Sequence, residues 1–156
     1  LEETQAKFLM TVGPLSENCV AAAQTTGVAE VFSVGDAPGT TPFAALLGRP
    51  GTPPVVKFDP ATTLAALPYS SGTSGLPKGV MLTHRNLVAQ LAQAENLLSG
   101  DVDDETVMAV LPFYHIYGMV LVLLRAIRRG FTLVSMARFD FVQFLECIQK
   151  YRVTYA

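Results

Sequence analysis

Residues 70–79 read SSGTSGLPKG and stand between the apolar run at 65–69 and a second one at Val80–Leu82. Glycines let a backbone approach an anion closely, hydroxyls and free N–H groups donate hydrogen bonds, and Lys78 adds a point charge. Pro77 removes one donor and stiffens the turn. The stretch is therefore expected to be a phosphate-wrapping loop carried between two strands. It is not a Walker A loop, because Lys78 follows Pro77 and precedes Gly79 and no Ser or Thr comes directly after the lysine. A flexible surface loop is the competing reading of any Ser/Thr/Gly run, but a linker needs neither the Pro-Lys-Gly lock nor the immediate return to apolar residues.

Around that loop the pattern alternates between short β runs and helices. Strands are expected at Phe8–Val12, Glu30–Val34, Thr106–Leu111 and Phe131–Ser135, with another starting at Val153. Helices are expected from an N-cap at Ser16 to a stop at Gly27, and from Thr41-Pro42 to Leu47. Three more are expected: from a cap at Thr83 to Gly100 with Leu87, Val88, Leu91 and Leu98 as its stripe, over Met119–Arg129 with Gly130 as the stop, and after a cap at Asp140. Phe141, Phe144, Leu145 and Ile148 would face inward from the last one. Repeated βαβ units imply an α/β fold, a mostly parallel sheet with helices on its faces. The Pro- and Gly-rich segment 49–58 reads as an extended crossover.

Composition narrows the function. Half the residues are apolar and 15% are charged, which suits a buried core and argues against disorder. A net charge of −2 offers no basic face to nucleic acid. The longest apolar run, Gly118 to Leu124, ends at Arg125, far short of a membrane span. No basic-then-apolar leader pattern opens the sequence. Cys19 and Cys147 lack metal-ligand spacing and read as buried thiols of a reducing compartment. Asp101, Asp103, Asp104 and Glu105 do not follow the EF-hand pattern and read as a solvated loop.

The run YSSGTSGLPKGVMLTH, Tyr69 to His84, together with LPFYHIYG, Leu111 to Gly118, resembles the adenylate-forming (AMP-binding) superfamily, which includes acyl- and aryl-CoA ligases, luciferases and peptide-synthetase adenylation domains. The likeness is strongest to 4-coumarate:CoA ligases and related acyl-CoA ligases, and it covers essentially the whole chain. The resemblance implies that residues 1–156 are a piece of the large N-terminal domain, with the C-terminal domain absent and the piece alone inactive. It implies an ATP-dependent ligase that converts a carboxylic acid to an acyl-adenylate and passes it to CoA. A peptide-synthetase-type adenylation domain and a catalytically dead nucleotide-binding module are the alternatives.

Residue by residue, the resemblance places Ser70, Ser71, Gly72, Thr73, Ser74 and Lys78 on the ATP phosphates. His115 matches a pocket histidine near the carboxylate and the adenylate. As a lone histidine among aromatics it would otherwise be a packing residue, and no triad or nucleophile elbow accompanies it, so substrate positioning is its expected role rather than proton transfer. Tyr117 matches an acyl-adenylate contact, against the alternative of a core aromatic. Four residues later the coumarate ligases commonly carry a serine, where this chain has Leu121, which favours a more apolar acid. Arg138 falls where a CoA-phosphate contact, usually Lys, is found; an inconsequential surface arginine is the other reading. The ligands of Mg2+ would lie outside these residues, and no catalytic residue is assigned. The partners implied are the acid, ATP, CoA and the remainder of the same polypeptide. The implied location is cytoplasmic, or peroxisomal if the full-length C-terminus carries a targeting signal.

Overall fold

The computed structural model describes residues 1–48, 51–70, 75, 77–98 and 105–156. The chain divides between Val55 and Val56 into two compact units. The division falls inside the segment 49–58.

In the first unit β1 (Phe8–Val12) and β2 (Glu30–Val34) run parallel, Phe8 opposite Glu30 through Val12 opposite Val34. Parallel neighbours need a crossover, and α1 (Ser16–Gln24) supplies it. Val31 and Phe32 are buried, and Ser33 beside them hydrogen-bonds the Gly35 carbonyl at 2.6 Å and the Thr40 hydroxyl at 2.7 Å. Ser16 is not the N-cap. A 3₁₀ turn at Gly13–Leu15 runs straight into α1, leaving Leu15 at the cap position, and the buried Ser16 hydroxyl donates back to the Gly13 carbonyl at 2.8 Å. The helix also stops before Gly27, at Gln24, where Thr25 and Thr26 donate to the Ala22 carbonyl and close the last turn.

Thr41-Pro42 does not open a helix either. The pair forms β3, parallel to β2 at the sheet edge, where a proline without an N–H is tolerated. Only a 3₁₀ turn, Phe43–Leu46, follows. Cys19 is half-buried, its Sγ 3.2 Å from the Thr11 hydroxyl, and Cys147 is a second half-buried free thiol.

The second unit holds two antiparallel ribbons around the loop: β4 (Leu64–Ala66) with β7 (Leu82–Thr83), and β5 (Tyr69–Ser70) with β6 (Lys78–Gly79). A return this short cannot be parallel, so the expected parallel order is interrupted here. It resumes where β8 (Thr106–Ala109) pairs in parallel with β9 (Thr132–Ser135). On the other edge of β8 the expected strand at Val153 is reduced to one parallel bridge, Val107 to Tyr155.

Helix α2 (His84–Leu98) starts on a reciprocal cap. The Thr83 hydroxyl accepts from the Asn86 N–H at 3.2 Å, while Asn86 Oδ1 accepts from the Thr83 N–H at 2.9 Å. Leu91 and Ala94 bury its inner face, whereas Val88, expected in the apolar stripe, is exposed.

The helix expected over Met119–Arg129 begins instead as a π-helix, Gly118–Leu124, and tightens into α3 (Arg125–Arg129) before stopping at Gly130. Glu105 is not solvated. It is buried and ion-paired to Arg125 at 3.6 Å, while residues 101–104 lie outside the described residues.

Asp140 caps α4 (Phe141–Tyr151) as expected, accepting from the Gln143 N–H at 2.8 Å. Phe144 and Ile148 are half-buried, but Phe141 (63%) and Leu145 (50%) remain exposed, because only one edge of the helix lies on its own unit. Asp140→Ala is expected to cost about 1 kcal/mol by loss of the cap, read as a lowered denaturation midpoint of the full-length protein. No helix among the described residues is long and apolar enough to cross a membrane.

Candidate active site

The loop at 71–77 is closed at its base by β5 and β6, where Ser70 stands directly opposite Lys78 and Tyr69 opposite Gly79. A further bond, Val80 N–H to the Pro68 carbonyl at 2.8 Å, continues the ribbon. Side chains directly opposite in such a pair leave the sheet on the same side with Cβ atoms about 5 Å apart. Ser70 and the exposed Lys78 therefore form two jaws on one face. Gly75 holds φ +85°, a left-handed conformation that an L side chain resists. Ser71, Gly72, Thr73 and Ser74 lie outside the described residues.

The second half of the site is the turn that follows β8. The Pro112 carbonyl accepts from the His115 N–H at 3.0 Å, and the His115 carbonyl accepts from Met119 at 2.8 Å. His115 Nδ1 accepts from the Tyr117 N–H at 3.3 Å. With Nδ1 engaged as acceptor, the neutral ring carries its proton on Nε2 and can only donate there. Such a ring orients an oxygen-bearing substrate and is not set up to take a proton at Nε2.

Ser70 and His115, with Tyr114, line one cavity of about 320 Å³. Tyr117 lines a larger one, about 620 Å³, with Val120 and Leu121 of the π-helix. Leu82 and Ile116 line both, so the two cavities adjoin. Arg138 is not brought to either. It is exposed and lines a third cavity, about 330 Å³, with Phe113 and Tyr114.

Among the described residues no group of three or more His, Cys, Asp or Glu could hold a metal ion. Two features of the site went unread in the sequence. Tyr114 is shared by two cavities, which no local pattern announces. Gln90 and Gln93 on α2 line the 620 Å³ cavity, and their spacing of three, on a face beside that of Leu91 and Ala94, was an available signal.

The described parts are Ser70 and Lys78 facing one way at the base of the loop, a hydrogen-bond donor at His115 Nε2 and an adjoining apolar cavity. The chain is similar to several known proteins. The 4-coumarate–CoA ligase 5 of Oryza sativa subsp. japonica is 44% identical over 134 residues, covering 83% of this chain and 25% of that protein. The 4-coumarate–CoA ligase of Vanilla planifolia is 38% identical, covering 97% of this chain and 29% of that one. A crystal structure of a long-chain-fatty-acid-CoA ligase from Archaeoglobus fulgidus matches with a TM-score of 0.84 and 32% identity, over 98% of this chain and 30% of its own. This chain thus spans less than a third of each of these relatives. The AMP-binding enzyme family matches across residues 1–156, and the chain belongs to that family.

Proposed function

We propose that the full-length protein is an ATP-dependent acid–CoA ligase, of which this chain is part of the large N-terminal domain. The observation that carries the reading is the shared cavity of Ser70 and His115, with the Lys78 jaw on the same ribbon face and an apolar cavity adjoining. In the first step a carboxylate oxygen attacks the α-phosphorus of ATP. A C–O–P anhydride forms as the bond to pyrophosphate breaks.

Ser70 and Lys78, with residues 71–74, hold the leaving β- and γ-phosphates, and His115 Nε2–H orients the carboxylate. In the second step the CoA sulfur attacks the acyl carbonyl, a C–S bond forms and AMP leaves. Arg138, in the cavity lined by Phe113 and Tyr114, is assigned to a phosphate of CoA, where its guanidinium keeps a fixed charge. The ligands of Mg2+ are assigned to parts of the protein outside these residues, and no step is derived through the ion.

The names of the ligase relatives favour CoA over a carrier-protein thiol as acceptor, and release of free acyl-CoA tests that choice. Lys78→Ala is expected to lower acid-dependent ATP–pyrophosphate exchange about 10²-fold, since one preorganised charge on the leaving phosphates is removed. Because Lys78 is exposed, the unfolding midpoint should stay at the wild-type value. Wild-type exchange in the variant would remove the loop from the phosphate site.

A further inference from the structure

Helix α3 is only five residues long, yet it is ion-paired to two other elements. At its start Arg125 meets the buried Glu105 at 3.6 Å, just before β8. Further along, Arg128 reaches α2 through two contacts with the Glu95 carboxylate, Nε to Oε1 at 2.7 Å and Nη2 to Oε2 at 3.0 Å. A fork of this kind fixes direction as well as distance. The first pair anchors α3 to the strands, and the second ties α2 to that anchor.

Where Glu95 sits on α2 decides what the tie can do. At about 100° per residue, Asn86, Ala89, Gln90 and Gln93 share one side of the helix, the side that lines the 620 Å³ cavity. Next round the helix come Leu91 and Ala94, both buried, and then Glu95, about 180° from Asn86. Across from α2, against which it packs, the π-helix lines the same cavity with Val120 and Leu121 and runs on into α3. The buried strip between α2 and this rod thus has the cavity on one flank and the ion pair on the other.

We propose that Glu95 and Arg128 are positioning residues for the acid: their pair straps α2 to α3 on one flank of the buried strip and thereby holds the cavity open on the other. The inference rests on the ligase reading above, with the acid's tail in the larger cavity. Neither residue lines that cavity, so the pair acts through α2 and not by touching the acid. With the strap released, α2 rolls on Leu91 and Ala94, the outer flank parts and the cavity narrows. Acids that fill the cavity lose by this, while those that leave room in it do not. The two side chains are 43% and 22% exposed, so the bias they hold is that of a part-exposed pair, about fivefold.

The test measures kcat and KM for acid-dependent pyrophosphate exchange by the full-length protein with straight-chain acids from butanoate to dodecanoate, and with benzoate and cinnamate. The readout is kcat/KM of the largest accepted acid over that of the smallest. Arg128→Met keeps most of the apolar stem and removes the fork. It is expected to lower the ratio about fivefold, through KM for the larger acid, with KM for ATP and exchange with the smallest acid unchanged. Glu95→Arg/Arg128→Glu re-forms the pair in reverse and should restore the wild-type ratio. A pair that only stabilises the fold would lower the unfolding midpoint in Arg128→Met and leave the ratio where it was. That result overturns the proposal, as does a ratio that the reversed pair fails to restore. In both cases exchange persists and the ligase reading stands. Absence of exchange with every acid overturns that reading and this inference with it.

Discussion

Gly118→Ala is expected to take acid-dependent pyrophosphate exchange down by 10²-fold or more and to destabilise the protein as well. A Cβ on Gly118 would lie 2.3 Å from the Pro112 carbonyl oxygen, 2.9 Å from its carbon and 3.1 Å from the Leu111 oxygen. All three are backbone atoms, so no rotamer change makes room. That same Pro112 carbonyl accepts the His115 N–H, and His115 in turn accepts through Nδ1 from Tyr117. Pushing the π-helix away from the turn therefore moves the two residues assigned to the substrate. Overpacking of this kind costs about 1–3 kcal/mol, and a displacement of about 1 Å in a positioning group costs about 10²-fold in rate. Calorimetry and the exchange assay on one preparation separate the two effects. Exchange at the wild-type rate in a variant with a lowered midpoint would show that the turn stabilises the unit without aligning the site.

The same contact explains what could and could not be read from residues alone. Thr83 and Asp140 were legible as helix starts because a cap is a local arrangement, complete within three or four residues. The ribbon of β5 and β6 was legible in outline, since a glycine-rich run between apolar stretches folds back on itself. Ser16 misled because a serine that donates to an upstream carbonyl and one that accepts at a cap look alike until the preceding turn is known. The π-helix had no local signal at all. MVLVLL is apolar on every side, and what sets its opening is Gly118 lying against the carbonyls of Leu111 and Pro112. For the site, the motif singles out His115 and Tyr117 as candidates, but their division between two adjoining cavities depends on where α2 and the ribbon lie. Burial on α4 was overestimated for the converse reason, since periodicity tells which residues share a face and not how much of that face is covered.

Glu105 shows how far an acidic run can mislead, and it carries the second large expectation. Its side chain and that of Arg125 are buried, the residues 9% and 5% exposed, with Arg125 Nη2 3.6 Å from Glu105 Oε2 and the guanidinium 4.8 Å above the Phe131 ring. Glu105 stands just before β8, and its carbonyl accepts from the Thr132 N–H of β9 at 3.0 Å. Arg125 opens α3 directly after the π-helix. The pair therefore ties the base of the parallel strands to the helix that walls the larger cavity. Glu105→Leu would leave a guanidinium in the interior without its carboxylate, and breaking a buried pair from one side costs about 3–5 kcal/mol. Glu105→Leu/Arg125→Met should recover most of that loss, because two apolar side chains of similar volume need no desolvated charge. Unfolding of the full-length single and double variants closes the cycle and gives the coupling between the two sites. High salt should leave it nearly unchanged, since mobile ions screen buried charges much less than exposed ones. A loss below about 1 kcal/mol in Glu105→Leu, the range of an exposed pair, would mean that water or the guanidinium's other contacts, the Phe131 ring among them, already hold it.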